Sequence, residues 1–311
     1  MTLTFKKEKI GLIVLFNSCF LLFSLLFFRF SLAQDLIIIE KFSRTLYLVR
    51  DGQILRAYPV SLGWNPNGPK KVRGDGATPE GIYEIIAKRP SAKYGLFLAL
   101  DYPNLKDVNL AWWEGRLSYE EYLICIEAAQ KKRPNPSCPL GFGIGIHGGG
   151  VFREEEGKKI RDWTYGCIAL NDADIKELSR LVSLGIPVFI YDLKRPLFEI
   201  LKNVVFPVEV PGTRLLPWWG EWEFNLKGLV LRASLWENHQ GLRRLILFGL
   251  ESSSKKLLFY YRDDNADGVL SSWERKNSLF HPLWAYDRVQ QKILELLPVW
   301  VEKKLAHGKG G

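Results

Sequence analysis

The chain has 311 residues, of which 47% are hydrophobic, 13% aromatic and 25% charged. This composition excludes a disordered protein and suffices for one large domain or two, of which two are predicted. The net charge of +9 falls to +6 beyond residue 33, because four cations (Lys6, Lys7, Lys9 and Arg29) and one anion (Glu8) precede that point. The other cations match no finger or zipper pattern, so nucleic-acid binding is not predicted. A basic surface suits an anionic polymer or a membrane face.

An export segment is predicted at the N-terminus, over residues 1–33. Three lysines precede an apolar run over residues 10–28, and Ser31-Leu32-Ala33 follows as an A-x-A-like cleavage site. The run has about 19 residues, close to the roughly 20 that span a bilayer. A cleaved signal peptide is the favoured interpretation, and an uncleaved membrane anchor stays open.

Four cysteines occur, and the first, Cys19, lies in the export segment. Export places Cys125, Cys138 and Cys167 in an oxidising compartment, where an odd number leaves one thiol free. Cys125 and Cys138 are 13 residues apart and flank a polar loop, so they can form a disulfide that leaves Cys167 free. Three reduced thiols are the alternative.

Short β-type runs separated by turn signals follow the export segment, and they predict a mainly β domain with tight turns. The Asp51-Gly52 pair between two runs predicts a hairpin. The predicted strands cover residues 36–39, 45–49, 54–60, 81–87, 94–100 and 188–191. Helical spacing predicts a helix over residues 118–132, and Asn171 or Asp172 as an N-cap predicts another that ends near Leu184.

Prolines mark a boundary after this domain, so residues 194–217 are predicted to be a linker and residues 218–311 a smaller α+β region. Its predicted elements are strands over residues 228–235, 245–250 and 257–261 and a final helix over residues 287–305. The tryptophan-rich residues 217–222 are expected to pack in a core or between domains, with sugar stacking as the alternative.

A cysteine and a histidine in glycine-rich surroundings form a candidate catalytic pair. His147, one of only four histidines, precedes three glycines and lies twenty residues before Cys167. A cysteine attacks a carbonyl only as the thiolate, and a neighbouring imidazole takes the thiol proton. The backbone N–H groups of Gly166 and Cys167 are predicted to stabilise the resulting oxyanion. Taken alone, the pair is better explained by a buried thiol and a structural histidine.

The order of the motifs resembles the L,D-transpeptidase catalytic (YkuD) domain over residues 35–193. His147-Gly148 followed by Thr164-Tyr165-Gly166-Cys167 resembles the family's His-Gly and Ser/Thr-x-Gly-Cys signature. Two further segments resemble conserved parts of the family: the opening hairpin, Thr45-Leu46-Tyr47-Leu48 with Asp51-Gly52, and the Thr-Pro-x-Gly segment, Thr78-Pro79-Glu80-Gly81. A third segment, Asp162-Trp163, resembles a subgroup of the family that remodels peptidoglycan.

The resemblance implies a mainly β, sandwich-like fold and an enzyme that acts on peptidoglycan stem peptides. Cys167 would be acylated by the penultimate residue of a tetrapeptide donor, His147 would be the base, and the Gly148 carbonyl would orient its ring. An amine of another stem peptide, or water, would resolve the acyl-enzyme, and no cofactor is expected for catalysis. Tyr165 and Ala169 stand where many members have His and Arg, which leaves the donor specificity open.

Other functions stay open beside the transferase. The long segment between Leu100 and Gly141 is consistent with a subgroup that hydrolyses peptidoglycan-linked amide bonds. A non-catalytic wall-binding protein is a second alternative, but the presence of both Cys167 and His147 argues against it. A thiol–disulfide oxidoreductase is disfavoured because the chain has no C-x-x-C pair. The expected location is the bacterial cell envelope, outside the cytoplasm, with attachment to the membrane through the N-terminal segment as an open alternative.

Residues 263–274 fit the calcium-loop pattern D-x-[DN]-x-[DN]-G-x5-E at each required position. The predicted ligands are the side chains of Asp263, Asn265, Asp267 and Glu274 and the carbonyl of Val269. The loop resembles an EF-hand loop, although a predicted strand precedes it where an EF-hand has a helix. A structural calcium ion is therefore predicted, with an acidic turn that binds no metal as an equal alternative.

Overall fold

The computed structural model describes residues 35–207 and 216–308 of the protein. The predicted export segment, residues 1–33, lies outside the described residues. Within the described ranges, no helix combines the length and the apolar character that crossing a membrane requires.

The described residues form strands and helices in mixed order. The strands are β1 (Leu36–Glu40), β2 (Thr45–Arg50), β3 (Gln53–Pro59), β4 (Gly81–Ser91), β5 (Gly95–Leu100), β6 (Gly145–His147), β7 (Arg153–Glu155), β8 (Lys158–Ile160), β9 (Ile168–Ala169), β10 (Pro187–Tyr191), β11 (Trp218–Leu226), β12 (Leu229–Glu237), β13 (Arg243–Glu251) and β14 (Leu257–Asp263). The helices are α1 (Leu105–Trp113), α2 (Tyr119–Gln130), α3 (Asp172–Leu181), α4 (Leu197–Val205), α5 (Ser272–Lys276) and α6 (Tyr286–Gly308). The predicted fold, mainly β with a smaller α+β C-terminal region, is confirmed.

An eight-stranded sheet with the order β3-β2-β1-β10-β4-β5-β6-β9 contains eight of the ten strands of the predicted catalytic domain, while β7 and β8 form a separate pair. β1 pairs in parallel with β10, so the last strand of the domain returns to the centre of the sheet. The sequences LIIIE and PVFIY of these two strands are apolar at consecutive positions, which is typical of strands buried on both faces. Accordingly, Ile37 and Ile39 contribute to one hydrophobic cluster, and Leu36 and Ile38 to another.

The C-terminal region covers the face of the eight-stranded sheet on which Leu36 and Ile38 lie. Its antiparallel sheet, β11-β12-β13-β14, and helix α6 share one hydrophobic cluster with Leu36, Ile38 and Phe189 of the larger sheet. Residues 194–217, predicted to be a linker, include helix α4, whose apolar residues are buried in the same cluster. Residues 197–205 of the predicted linker therefore form a packed helix, while the division into two domains stays a prediction.

The tryptophan-rich segment forms strand β11, which the sequence did not predict. Trp218 and Trp222 are buried, as expected of core packing, whereas Trp219 is 64% exposed. The alternation of buried and exposed residues along β11 reflects one face against the cluster and one face toward solvent.

The segment between β5 and β6 contains α1 and α2, which surround a small separate hydrophobic cluster. Cys125 of α2 and Cys138 of the following loop are joined by a disulfide within this cluster. Cys167 is consequently the free cysteine of the residues that the structure describes.

A buried ion pair connects β1 to the segment before β4. Lys41 Nζ lies 2.7 Å from Glu80 Oε1, and the two side chains are 0% and 2% exposed. Lys41 Nζ also donates to the carbonyls of Gly68 and Thr78, and Asn203 of α4 donates to the other oxygen of Glu80. The pair therefore joins the sheet, the loop after β3 and α4.

We expect Lys41→Met to lower the free energy of unfolding by about 3–5 kcal/mol, because it leaves the buried Glu80 carboxylate without its counter-charge. Lys41→Met combined with Glu80→Leu should be more stable than the single variant, because no uncompensated charge remains. Urea unfolding of the three proteins measures both differences. A single variant as stable as the wild type would contradict the expectation.

Candidate active site

The parallel pairing of β6 with β9 places the two segments that carry the predicted catalytic residues side by side. His147 ends β6 and lies opposite Ala169 of β9, while Cys167 directly precedes β9. The backbone N–H of Gly145, two residues before His147, acts on the Cys167 thiol and lowers its pKa. The two segments, twenty positions apart in the sequence, therefore lie at one edge of the sheet.

His147 is held in one tautomer by its own backbone neighbour. The ring is 1% exposed, and its Nδ1 lies 2.6 Å from the Gly148 carbonyl oxygen. Because a carbonyl only accepts hydrogen bonds, Nδ1 carries the proton, and Nε2 of the neutral ring is the acceptor. A side chain at Gly148 would collide with the Tyr94 carbonyl at 2.5 Å, so glycine is needed there. This is the contact that the family resemblance implied.

Burial lowers the pKa of His147 below its usual value. The Gly148 carbonyl acts in the opposite direction, and the charges of Lys93 and Arg153 lower the pKa further. The imidazole is therefore neutral near pH 7 and can accept a proton.

Three aromatic rings surround the His147 imidazole. Tyr94 stacks on it with the ring centroids 4.1 Å apart, Phe97 lies at 5.9 Å, and Trp163 meets it edge to face at 5.8 Å. These rings exclude water from the sides of the imidazole and restrict its rotation. The sequence singled out Asp162-Trp163 as a motif, but it gave no signal for Tyr94 or Phe97.

Cys167 is half-buried, and its Sγ lies 3.6 Å from the Gly143 carbonyl oxygen. Burial raises the pKa of the thiol to about 11, although the Gly145 N–H and the charge of Lys70 act in the opposite direction. The resting site therefore holds a neutral thiol and a neutral imidazole. The thiol proton must then move during attack on a substrate.

The amide of Gly166 has a partner in the turn before the cysteine. Gly166 N donates to Thr164 Oγ1 at 3.1 Å, and Thr164 Oγ1 donates to the Cys167 carbonyl at 2.7 Å. The assignment of this amide to the oxyanion stays a prediction that requires it to leave Thr164. Gly166 has φ +121°, and a Cβ there would lie 2.6 Å from the Ala77 carbonyl, so the turn requires glycine. The Cys167 amide remains the other predicted donor.

Asn171 and Asp172 also act differently from the prediction. Asn171 occupies the N-cap position of α3 without a side-chain capping bond, and the helix ends at Leu181 rather than near Leu184. Asp172 Oδ1 instead accepts from Gly149 N at 2.8 Å, and Asn171 Oδ1 accepts from Val151 N at 3.4 Å. Both side chains hold the loop that follows His147.

A family model for the L,D-transpeptidase catalytic domain (YkuD) matches residues 34–190, just over half of the chain. The chain belongs to this family. The matched range contains the eight-stranded sheet except for Tyr191, the last residue of β10. His147 and Cys167 both lie within it.

Solved structures of L,D-transpeptidases resemble the chain over about half of its length. An L,D-transpeptidase from Mycobacterium smegmatis is 16% identical, with a TM-score of 0.30, and the match covers 51% of this chain and 59% of that one. A mutant L,D-transpeptidase from Enterococcus faecium is 16% identical, with a TM-score of 0.31, and the match covers 51% and 50%. The chain thus spans less than two thirds of the length of either. A comparison with curated proteins found no match.

The candidate calcium loop of this L,D-transpeptidase family member lies between β14 and α5. Asp263 is fully buried, and its Oδ2 accepts from Gly268 N at 2.9 Å and from the Tyr286 hydroxyl at 2.7 Å. Its Oδ1 is buried and has no hydrogen-bond partner. Asp267 accepts from Val269 N and from the Asn265 amide, so the loop is ordered by its own side chains.

Glu274, the predicted closing ligand, is a helix cap in the described conformation. Its two carboxylate oxygens accept from Asp264 N and Ser271 N, each at 2.6 Å. Across residues 35–207 and 216–308, no three His, Cys, Asp or Glu side chains converge closely enough to hold a metal ion. The calcium site therefore stays a prediction that requires Glu274 to change its contacts.

The rate of Cys167 alkylation by iodoacetamide should increase with pH up to about pH 11, because burial raises the pKa of this thiol and only the thiolate reacts. At pH 7 the rate should lie below that of free cysteine. Pulsed alkylation followed by peptide mass spectrometry measures the rate at Cys167 separately from Cys19. An apparent pKa below the ordinary cysteine range would instead indicate a resting thiolate–imidazolium pair.

Proposed function

We propose that the protein is an exported cysteine acyltransferase that acts on peptidoglycan stem peptides through an acyl-enzyme at Cys167. Its main support is the His147 ring, whose Nδ1 is bound to the Gly148 carbonyl, which leaves Nε2 as the basic nitrogen, on a strand that pairs with the strand following Cys167. Family membership supports the substrate class. Export agrees with the predicted segment over residues 1–33 and with the disulfide between Cys125 and Cys138.

In the first step, His147 Nε2 takes the thiol proton as the Cys167 sulfur attacks the carbonyl of the penultimate donor residue. The thiol is neutral at rest, so a thiolate need exist only while the new bond forms. The Cys167 amide would donate to the oxyanion of the tetrahedral intermediate. When the intermediate collapses, the imidazolium returns the proton to the leaving amine, and the terminal residue departs.

In the second step, His147 deprotonates the acceptor, which attacks the thioester carbonyl. The thioester bond breaks, and the proton held by His147 returns to the sulfur as Cys167 is released. An amine of a second stem peptide gives a crosslink, and water gives hydrolysis. The same base serves both acceptors, so the chemistry at Cys167 does not distinguish transfer from hydrolysis.

Hydrolysis is the alternative within the same chemistry. The α1–α2 segment, with its own hydrophobic cluster and disulfide, is the insertion on which that alternative rests. A non-catalytic wall-binding protein is the other alternative. It is disfavoured by the buried, oriented state of His147, because a protein without catalysis has no need of a base held in one tautomer.

Incubation with a carbapenem should add one acyl group to the wild type and none to Cys167→Ala, because only this thiol is the proposed nucleophile. His147→Ala should acylate roughly 10²- to 10⁴-fold more slowly, which is the usual contribution of a general base. Intact-mass spectrometry measures both, and Cys19→Ser is the matched control that should retain the adduct.

An adduct on Cys167→Ala would contradict the assignment of Cys167 as the nucleophile. An unchanged rate for His147→Ala would show that another group activates the thiol. Mass spectrometry of purified stem peptides incubated with the enzyme then separates crosslinking, exchange and hydrolysis by product mass.

We also propose a structural calcium site in the loop over residues 263–274. It is supported by the buried Asp263 Oδ1, since a buried carboxylate oxygen without a partner is costly. Asp263, Asn265, Asp267 and the Val269 carbonyl would supply ligands, and Glu274 would exchange an amide contact for the cation. Calcium would neutralise the carboxylates and stabilise the loop, with no part in catalysis.

Calcium should raise the melting temperature if the loop binds it, by an amount equivalent to about 1.4 kcal/mol at ten times Kd. Glu274→Gln should abolish the effect, because glutamine can still cap α5 but lacks the charged bidentate ligand. Thermal unfolding with calcium and with a chelator measures the shift. Equal melting curves for the wild type would show that the loop is an acidic turn, and acylation at Cys167 is the control for an intact active site.

A further inference from the structure

Two cations lie next to the proposed base, each over an aromatic ring that contacts it. The Arg153 guanidinium carbon lies 4.0 Å from the centroid of Trp163, and Lys93 Nζ lies 5.2 Å from the centroid of Tyr94. Both rings contact the imidazole of His147. Both cations also lower the pKa of His147, so their charges act at the base itself.

Within the residues that the structure describes, neither Lys93 nor Arg153 forms an ion pair with an acidic side chain. Arg89, which lies over Phe97, also forms no ion pair there. By contrast, Lys70 binds Asp75 and Arg44 binds Asp162. Arg153 is half-buried against its ring, so its charge is partly withdrawn from water without a counter-charge. Such a group is prepared to bind an anion.

The proposed reaction brings an anion to this position. His147 must protonate the amine of the leaving residue, and that nitrogen is bonded to the carbon that carries the residue's α-carboxylate. A free α-carboxylate therefore lies within a few bond lengths of the proton that His147 delivers. The base, its two aromatic neighbours and their cations would surround the leaving residue.

We propose that Arg153, with Lys93 beside it, binds the α-carboxylate of the leaving residue and thereby selects donors with a free carboxyl terminus. The inference rests on the proposed function, since it concerns the residue that this reaction releases. The planar guanidinium can form two parallel hydrogen bonds to a carboxylate, whereas the Lys93 ammonium adds a point charge. Arg153 is therefore the main specificity residue.

The test compares a stem tetrapeptide with a free α-carboxylate and the same peptide with a C-terminal carboxamide. Wild type should release the terminal residue of the free peptide with a kcat/KM roughly 10- to 100-fold higher, as expected of a charge-assisted contact. Arg153→Gln should lose most of this preference, Lys93→Gln should lose less, and Arg153→Lys should keep part of it. Arg232→Gln, which changes an arginine over Phe248 in the C-terminal sheet, is the matched control and should keep it all.

Equal kcat/KM for the two donors with wild type, or a full preference in Arg153→Gln, would overturn the inference. Carbapenem acylation of Cys167 separates this failure from failure of the proposed function, because that reaction releases no amino acid. An Arg153→Gln protein that forms the adduct but no longer distinguishes the donors supports the inference. If neither the peptide nor the carbapenem acylates the wild type, the result contradicts the proposed function, and the inference that rests on it fails as well. Melting temperatures establish that each variant is folded.

Discussion

The parallel pairing of β6 with β9 is the contact on which the candidate site depends. It sets Cys167 beside Gly145 and His147 opposite Ala169. Glycine is required at 145, since a Cβ there would lie 2.5 Å from the Leu98 carbonyl and 2.6 Å from the Phe97 ring. The β9 strand is in turn held from its other side, where Ala169 and Ser61 exchange backbone hydrogen bonds. The proposed nucleophile is thus positioned by a two-residue strand that is bonded on both edges.

Burial gives the site its resting charge state. It raises the pKa of the Cys167 thiol and lowers that of the His147 imidazole, and both shifts favour uncharged groups. A preformed thiolate–imidazolium pair would require the reverse order of these pKa values. In the proposed reaction, charge would therefore develop only during attack, in surroundings where the Gly145 N–H and the charge of Lys70 favour a negative sulfur.

The sequence predicted what depends on local pattern and missed what depends on pairing between distant segments. Alternating and continuous apolar runs predicted most strands, but not that β10 would return to the sheet centre beside β1. Spacing and the family signature selected Cys167 and His147, whereas Lys93 and Tyr94 lie on a loop that carries no motif. Asn171 and Asp172 were predicted to cap a helix because their side chains suit that role. In the structure, those side chains accept hydrogen bonds from backbone N–H groups of another loop. A rule based on neighbouring residues in the sequence cannot predict contacts of this kind.

The C-terminal region is part of the fold and not only an appendage to it. Lys202 of α4 forms a buried ion pair with Glu237 of β12 and a partly exposed one with Glu114 at the end of α1, so one side chain links the insertion to the second sheet. The same region covers Leu36 and Phe189 on the central strands. The family match ends at residue 190, so it includes neither Lys202 nor the C-terminal sheet. A chain that ended there would expose the apolar second face of β1 and β10, so the strands that order the active site depend on residues outside the matched range.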